Sequence, residues 1–355
     1  MMKHYKPIKF IVLAAMTAFS MSMGSCSKDD DEPADTPMPA PEEEISNDMS
    51  QLSTPAFSEE SAKYTLAPNS EGIQSIEITE SGIYHIVYGY NYRSDSKSSG
   101  EKNTLSARVA KTLTVCLESN DGPSSRYGGG ISIGKVIKIA DGEYILEGYG
   151  TITVSGDSDN VMEIILNPQD GESVTVGAQK EDTYSLNDAA TKALCRTWNP
   201  AKIHMRIDLN GATVADQSGP YSDYVNILRR TMDQFIAAMK SAYGAYVDDE
   251  DFEDIIGSGQ VQTPTMVLFS RSGSYLVEYT NDYVDVRQWK WLNIANQTLR
   301  YSYDLDDLYA DDSSDCAVKF NGKNAIIHSM NSMSDSDEGI TVTITSHVWE
   351  TLTER

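Results

Sequence analysis

From about residue 51 onward, apolar and polar side chains alternate with a period of two, in short runs broken by turn residues. Such a run buries one face and wets the other as a β-strand, and runs punctuated this often predict antiparallel sheets. In a first region the pattern predicts strands over 73–78, 82–90, 108–117, 131–139, 143–154, 161–166 and 173–178. Asp141-Gly142, Asp170-Gly171 and the stretch 156–160 supply turns, because Gly, Asp and Asn tolerate the backbone angles of tight reversals. Seven strands without a long helix predict a sandwich or a barrel. Residues 91–103 are polar and Ser/Lys-rich and read as a long loop.

A boundary falls at 181–188, where Asn187 or Asp188 can cap a short helix through Leu194. Over 202–210, Ile203, Met205, Ile207 and Leu209 point one way and Lys202, His204, Arg206 and Asp208 the other, a half-buried strand. Further strands are predicted over 266–270, 274–279, 287–292, 298–305, 317–320, 325–328 and 339–349. Eight antiparallel strands can close a small barrel whose interior is filled or holds one small ligand. Between the first two strands, from 221 to about 247, Tyr224, Leu228, Met232, Phe235, Met239 and Tyr243 recur at three- and four-residue steps and predict a helix. It would either cover an edge or end of the barrel or act as a lid over a cavity. The expected fold class is all-β: two antiparallel β domains, 51–182 and 187–355, the second with one long inserted helix.

The N-terminus carries different information. Lys3, Lys6 and Lys9 precede an apolar run from Phe10 to Met21, and Gly24 and Ser25 precede Cys26. This is a secretory signal over 1–25, with an apolar run too short to span a bilayer as a helix. The stretch before Cys26 resembles a lipobox, with Met23 where Leu is more usual. The resemblance implies cleavage before Cys26 and lipidation there, hence a membrane anchor without a span. Residues 26–50 follow as an acidic tether, in which 27–50 hold nine acids, one lysine and four prolines. Ser27-Lys28-Asp29-Asp30-Asp31 resembles the export signal of surface lipoproteins of Bacteroidetes-type Gram-negative bacteria. That implies an outer-membrane location facing the cell exterior; the plainer reading is a generic acidic linker.

The formal charge is −25, from 28 basic and 53 acidic side chains. It excludes a nucleic-acid partner and adsorption to anionic lipid, both of which need a basic surface. Four cysteines, at 26, 116, 195 and 316, do not make a disulfide scaffold, and once Cys26 is lipidated the other three read as buried free thiols.

Leu194-Cys195-Arg196-Thr197-Trp198 before a strand, then Phe269-Ser270-Arg271-Ser272-Gly273-Ser274-Tyr275, then Trp289-Lys290-Trp291, resemble the lipocalin-like domains of small bacterial lipoproteins. The resemblance covers about 187–355. It implies a barrel, and in many members capture of a small apolar molecule; the inserted helix departs from the simplest pattern. Residues 78–88 also align without a gap on 269–279, at an offset of 191, with Ser, Gly and two Tyr coincident. Two readings stand side by side: a diverged internal duplication, or a recurrent turn-plus-strand solution.

Catalytic signals are absent from the chain. Gly130-Ile131-Ser132-Ile133-Gly134 fits G-x-S-x-G, but Ser132 sits inside an alternating strand rather than at a strand–turn–helix elbow. The histidines at 85, 204, 328 and 347 lack metal-ligand spacing, and His85, His204 and His347 read as solvent-facing strand positions. Acidic stretches at 304–315 and 334–338 match no EF-hand and read as solvated loops.

The expectation is a surface-anchored lipoprotein that binds rather than catalyses, without a cofactor or metal. Its ligand would be small and apolar or amphipathic, lined by Trp198, Tyr275, Trp289 and Trp291. The alternative is an adhesive or structural surface protein of fimbrial or glycan-contacting type.

Overall fold

The computed structural model describes residues 47–69, 72–88, 111–113, 131–156, 161–169, 171–181, 188–243, 263–280, 284–302, 313–337 and 340–355. The signal segment, Cys26, the tether up to residue 46, Cys116, the loop at 91–103 and the acidic stretch 304–312 lie outside these residues.

The chain forms two closed eight-stranded antiparallel barrels. The first uses β1 (Ala62–Leu66), β2 (Ile73–Ile78), β3 (Ile83–Tyr88), β5 (Ile131–Ala140), β6 (Glu143–Leu146), β7 (Gly150–Gly156), β8 (Val161–Pro168) and β9 (Val174–Lys180), with β4 (Lys111–Leu113) paired beside β5. The strands run as a meander that β9 closes on β1, and β3 pairs directly with β5. Its interior is filled by Ile76, Ile78, Tyr84, Leu146, Ile152 and Ile164, all fully buried. The run 143–154, expected as one strand, is two. Gly148 and Gly150 take positive φ, and a Cβ on Gly150 would lie 2.0 Å from the Asn167 carbonyl oxygen, so only glycine fits this reversal.

Helix α1 (Ala189–Leu194) starts the second half; Asp188 caps it by accepting the Thr191 amide at 2.8 Å. The second barrel uses β10 (Thr197–Leu209), β12 (Pro264–Phe269), β13 (Ser274–Tyr279), β14 (Val284–Asn293), β15 (Thr298–Ser302), β16 (Ser314–Asn321), β17 (Asn324–Asp337) and β18 (Ile340–Glu354), closed by β10 against β18. β10 is longer than its barrel needs. Thr197 and Trp198 pair with β12, while Lys202 to Leu209 pair with β11 (Ala212–Pro220). The β17–β18–β10–β11 side therefore runs past the barrel as a sheet extension.

Helix α2 (Tyr224–Tyr243) follows β11 and packs on that extension, burying Met205, Ile207, Phe235, Met239, Ile344 and Val348 in a core of its own. The helix thus covers a sheet face, and its first residue, Tyr224, with Tyr221 before it, bounds the space beside Tyr275 and Arg287 in the barrel. It also comes after the second strand of this half; β11, with its polar Asp216, Gln217 and Ser218, carries too little alternation to be read as a strand.

Residues 47–57 strap the two barrels. Asp48 bridges to Asn321, Met49 and Leu52 pack on the second barrel, and Phe57 packs on the first. Residues 47–50, read from sequence as tether, belong to this strap.

Candidate binding cleft between the barrels

The four aromatic residues expected to line a ligand cavity converge on the interior of the second barrel. Trp198, Tyr275, Trp289 and Trp291 are at most 6% exposed and share one core with Phe269, Tyr301 and Phe320. Each indole N–H is already used. Trp198 donates to the Leu194 carbonyl at 2.9 Å, Trp289 to the Ser270 carbonyl at 2.9 Å, and Trp291 to the Thr191 hydroxyl at 2.8 Å. Phe269 stacks on Tyr275 at 4.5 Å, and Trp289 meets Trp291 edge-on at 5.5 Å. The space beside Tyr275 is about 20 Å³, bounded by Tyr221, Arg287 and Glu350, which is room for a water and not for a larger ligand. Arg287 lies within 5.3 Å of the Tyr275 ring and pairs with Asp285 at 2.7 Å, so this buried guanidinium is held by ring faces and a carboxylate.

The larger cavity lies elsewhere. A cleft of about 660 Å³ opens between the barrels and under the strap. Pro55 and Ala56 of the strap, Ile83 and Ile133 of the first barrel and Met266 of the second give it apolar walls. Lys135 and Glu147 of the first barrel, and Arg196, Glu278 and Glu354 of the second, place charge around it. Arg196 is committed: it donates to Glu354 at 2.6 Å and to the carbonyls of Ser53, Ala193 and Lys192. Thr197 also lines the cleft, and its buried hydroxyl oxygen has no partner.

Beside the cleft the barrels touch through matching hairpins, β2–β3 and β12–β13. Gly82 and Gly273, 191 residues apart, both take positive φ (67° and 85°) in the two turns. Outward-facing Ile83, Ile131 and Ile133 meet Met266, Leu268, Leu276, Val284 and Val286 in a shared apolar cluster. Polar groups cross the same contact. Arg271 pairs with Glu80 at 3.0 Å and reaches the Ser58 carbonyl, Ser274 donates to Glu77 at 2.5 Å, and the Thr197 amide donates to the Ser81 hydroxyl at 2.8 Å. Burial here raises the Glu77 carboxyl above the ordinary value and drives the His85 imidazole down to about 3.

His85 is therefore buried, not solvent-facing, because the second barrel covers its strand face. His347 is buried too, in a stack on the outer face of the sheet extension. Trp349 lies between His204 at 4.6 Å and His328 at 4.5 Å, with His347 at 5.4 Å and the Arg206 guanidinium 5.4 Å from the ring. His204 alone of these three histidines is half-exposed, and it pairs with Asp216 at 2.7 Å. No cluster of three or more His, Cys, Asp or Glu able to hold a metal occurs among the described residues. No helix among the described residues is long and apolar enough to cross a membrane.

No sequence signal marks the cleft as a whole, although Arg196 and Thr197 belong to the stretch that resembles lipocalin-like domains and Ile133 and Gly134 to the G-x-S-x-G match. Its lining comes from outward strand positions of both barrels and from the strap, and only docking brings them together.

No family model matches the chain, and no curated protein matches it. Among solved structures it aligns with a double mutant of the vaccine antigen transferrin binding protein B from Haemophilus parasuis, at 8% identity and a TM-score of 0.18. The alignment covers 80% of this chain and 54% of that one, so the chain spans about half the length of that structure.

Proposed function

We propose that the chain is a surface lipoprotein, anchored to the outer membrane through lipid on Cys26 and facing the exterior, that binds a small amphipathic ligand in the cleft between its barrels without catalysis. One observation carries the reading: the cleft of about 660 Å³ is of ligand size, whereas the second barrel is packed to a water-sized space. The ligand class follows from the lining. Ile83, Ile133, Met266 and Pro55 suit an apolar body, and Lys135 and Glu147 suit a polar end.

Native mass spectrometry of the mature chain tests it. A co-purifying mass is expected, and Thr54→Trp, which fills the cleft from its exposed strap, is expected to abolish it. No tryptophan lines the cleft, so binding should leave tryptophan emission nearly unchanged; strong quenching would place the ligand inside the barrel instead. A bare mass, with no binding from a panel of amphiphiles, overturns the reading. Weight then moves to an adhesive or structural role, for which the specific support is the packed second barrel together with Ile137 and Ile139, 53% and 57% exposed on β5. A glycan array tests that role.

A further inference from the structure

The two matched hairpins make an unequal contact. At the offset of 191, Glu77 corresponds to Leu268 and His85 to Leu276. Both leucines are fully buried in the apolar cluster between the barrels. Leucine therefore serves these positions on one side, while the other side buries a carboxyl and an imidazole. Neither is satisfied: Glu77 Oε1 and His85 Nδ1 have no hydrogen-bond partner, and the two residues are 0% and 1% exposed. Glu77 Oε2 lies 3.4 Å from His85 Nε2 and accepts from Ser274 of the opposite barrel. Buried polar groups of this kind destabilise a contact that two apolar residues would strengthen.

We propose that Glu77 and His85 form a proton-operated latch that sets how firmly the barrels close on the cleft. The regulatory role rests on the binding reading given above; the latch itself does not.

The direction follows from the surroundings. Facing Glu77 are His85 on β3, Lys63 on β1, Glu181 after β9, and Ser270 and Ser274 from β12–β13. Lys63 is itself paired with Glu181 at 3.2 Å, and Glu80 nearby is paired with Arg271, so an ionised Glu77 adds one negative charge with no cation of its own. Cys195 of the second barrel lies in the same field. Burial favours neutral Glu77, against the pull of Lys63 and the two serine hydroxyls, and burial together with Lys63 favours neutral His85. Closing therefore binds protons at Glu77 above its ordinary value of 4.5 and releases them at His85 below its ordinary value of 6.5. Between these values the two effects oppose each other. Glu77 weakens closure as pH rises from 4.5 through its raised value, and His85 weakens closure as pH falls from 6.5 toward about 3.

Small-angle scattering of the mature chain carrying His85→Leu, at about pH 5 and about pH 9, reads the Glu77 half of the latch directly, without a ligand. The radius of gyration is expected to rise at the higher pH in His85→Leu. It should stay constant in Glu77→Leu with His85→Leu, which copies Leu268 and Leu276. An unchanged radius in His85→Leu overturns the proposal, as does an equal rise in the double variant. Barrels that part on schedule while no amphiphile binds would refute the cleft reading alone. A cleft ligand held equally at both pH values, with a constant radius, would refute the latch alone.

Discussion

Glu80 and Arg271 occupy the same position in two matched hairpins, 191 residues apart, and they pair with each other. When two like surfaces meet about a local two-fold axis, equivalent residues near the axis touch one another. One other contact obeys the same relation: Glu77 meets Ser274, and their counterparts Leu268 and Ile83 share the apolar cluster. The barrels also share strand order, each an eight-stranded meander closed by its first and last strands. The first adds β4 between its third and next strands, and the second adds β11 and α2 after its first.

The pair should be strongly coupled. The Glu80 side chain is 3% exposed, so Arg271→Ala leaves a buried carboxylate unpaired. The expected loss of stability is about 3 kcal/mol, and the Glu80→Ala, Arg271→Ala double variant should lose less than the sum of the singles. Because the positions are equivalent, exchanging the charges (Glu80→Arg with Arg271→Glu) should recover part of the loss. A double-mutant cycle in urea unfolding checks this.

Tryptophans of the second barrel are structural in this fold. Trp198→Ala empties a fully buried indole site and breaks its bond to Leu194, and should cost about 3–5 kcal/mol. Trp289→Phe should cost less. Neither should alter binding in the cleft, which thermal unfolding and a binding titration on the same samples can separate.

Arg196 and Glu354 hold the strap. Burial pushes the Glu354 carboxyl up, but the Ser53 hydroxyl and amide together with Arg196 outweigh it and leave the carboxyl below its ordinary value of 4.5. A depressed acid stabilises the fold above that value, and the contribution is lost as pH falls through the folded-state value. Glu354→Gln should therefore unfold at lower denaturant than the wild type near neutral pH, with the gap narrowing in acid. Proteolysis near residues 53–56 should accelerate in the variant.

Cys195 and Cys316 are free, fully buried thiols, and burial drives both well above the ordinary thiol value. Iodoacetamide should leave both unlabelled in the native protein and label both in denaturant, as peptide mapping would show. Labelling of either in the native state would mean that its core opens.

Of the four tryptophans, Trp349 alone is only half-buried. Acrylamide quenching should resolve one accessible fraction, and Trp349→Phe should remove it.

Much of the fold was legible because a half-buried strand declares itself locally. Residues 73–78 and 274–279 were read to the residue, and most others within a few, because alternation with a flanking turn needs no knowledge of partners; β17 runs to Asp337, nine residues past the expected end at 328, through Ser334-Asp335-Ser336-Asp337, which read as a loop. Helix α2 showed the same way, through its repeat of three and four. The N-terminal half of β10 was not legible, because Asn199-Pro200-Ala201-Lys202 breaks the alternation before Ile203. β1 was missed although Ala62, Tyr64 and Leu66 alternate with Lys63 and Thr65.

The candidate site divides along the same line. The resemblance put Trp198, Tyr275, Trp289 and Trp291 on the inner faces of strands, and the structure packs all four in one core. It did not say whether those faces meet, since that depends on side-chain volumes summed across eight strands. Outward positions were less legible still. Ile133, Leu268, Leu276, Glu77 and His85 sit where a strand in an isolated barrel would face water, and only the docking of a second barrel buries them. The sequence by itself determined two β domains, most of their strands and their one long helix, because those follow from interactions between near neighbours. The tertiary structure decided that the second barrel is packed, that the helix covers a sheet extension, and that the cleft and its ionisable contact lie between the barrels. These are meetings of surfaces from distant parts of the chain, and no local pattern encodes them.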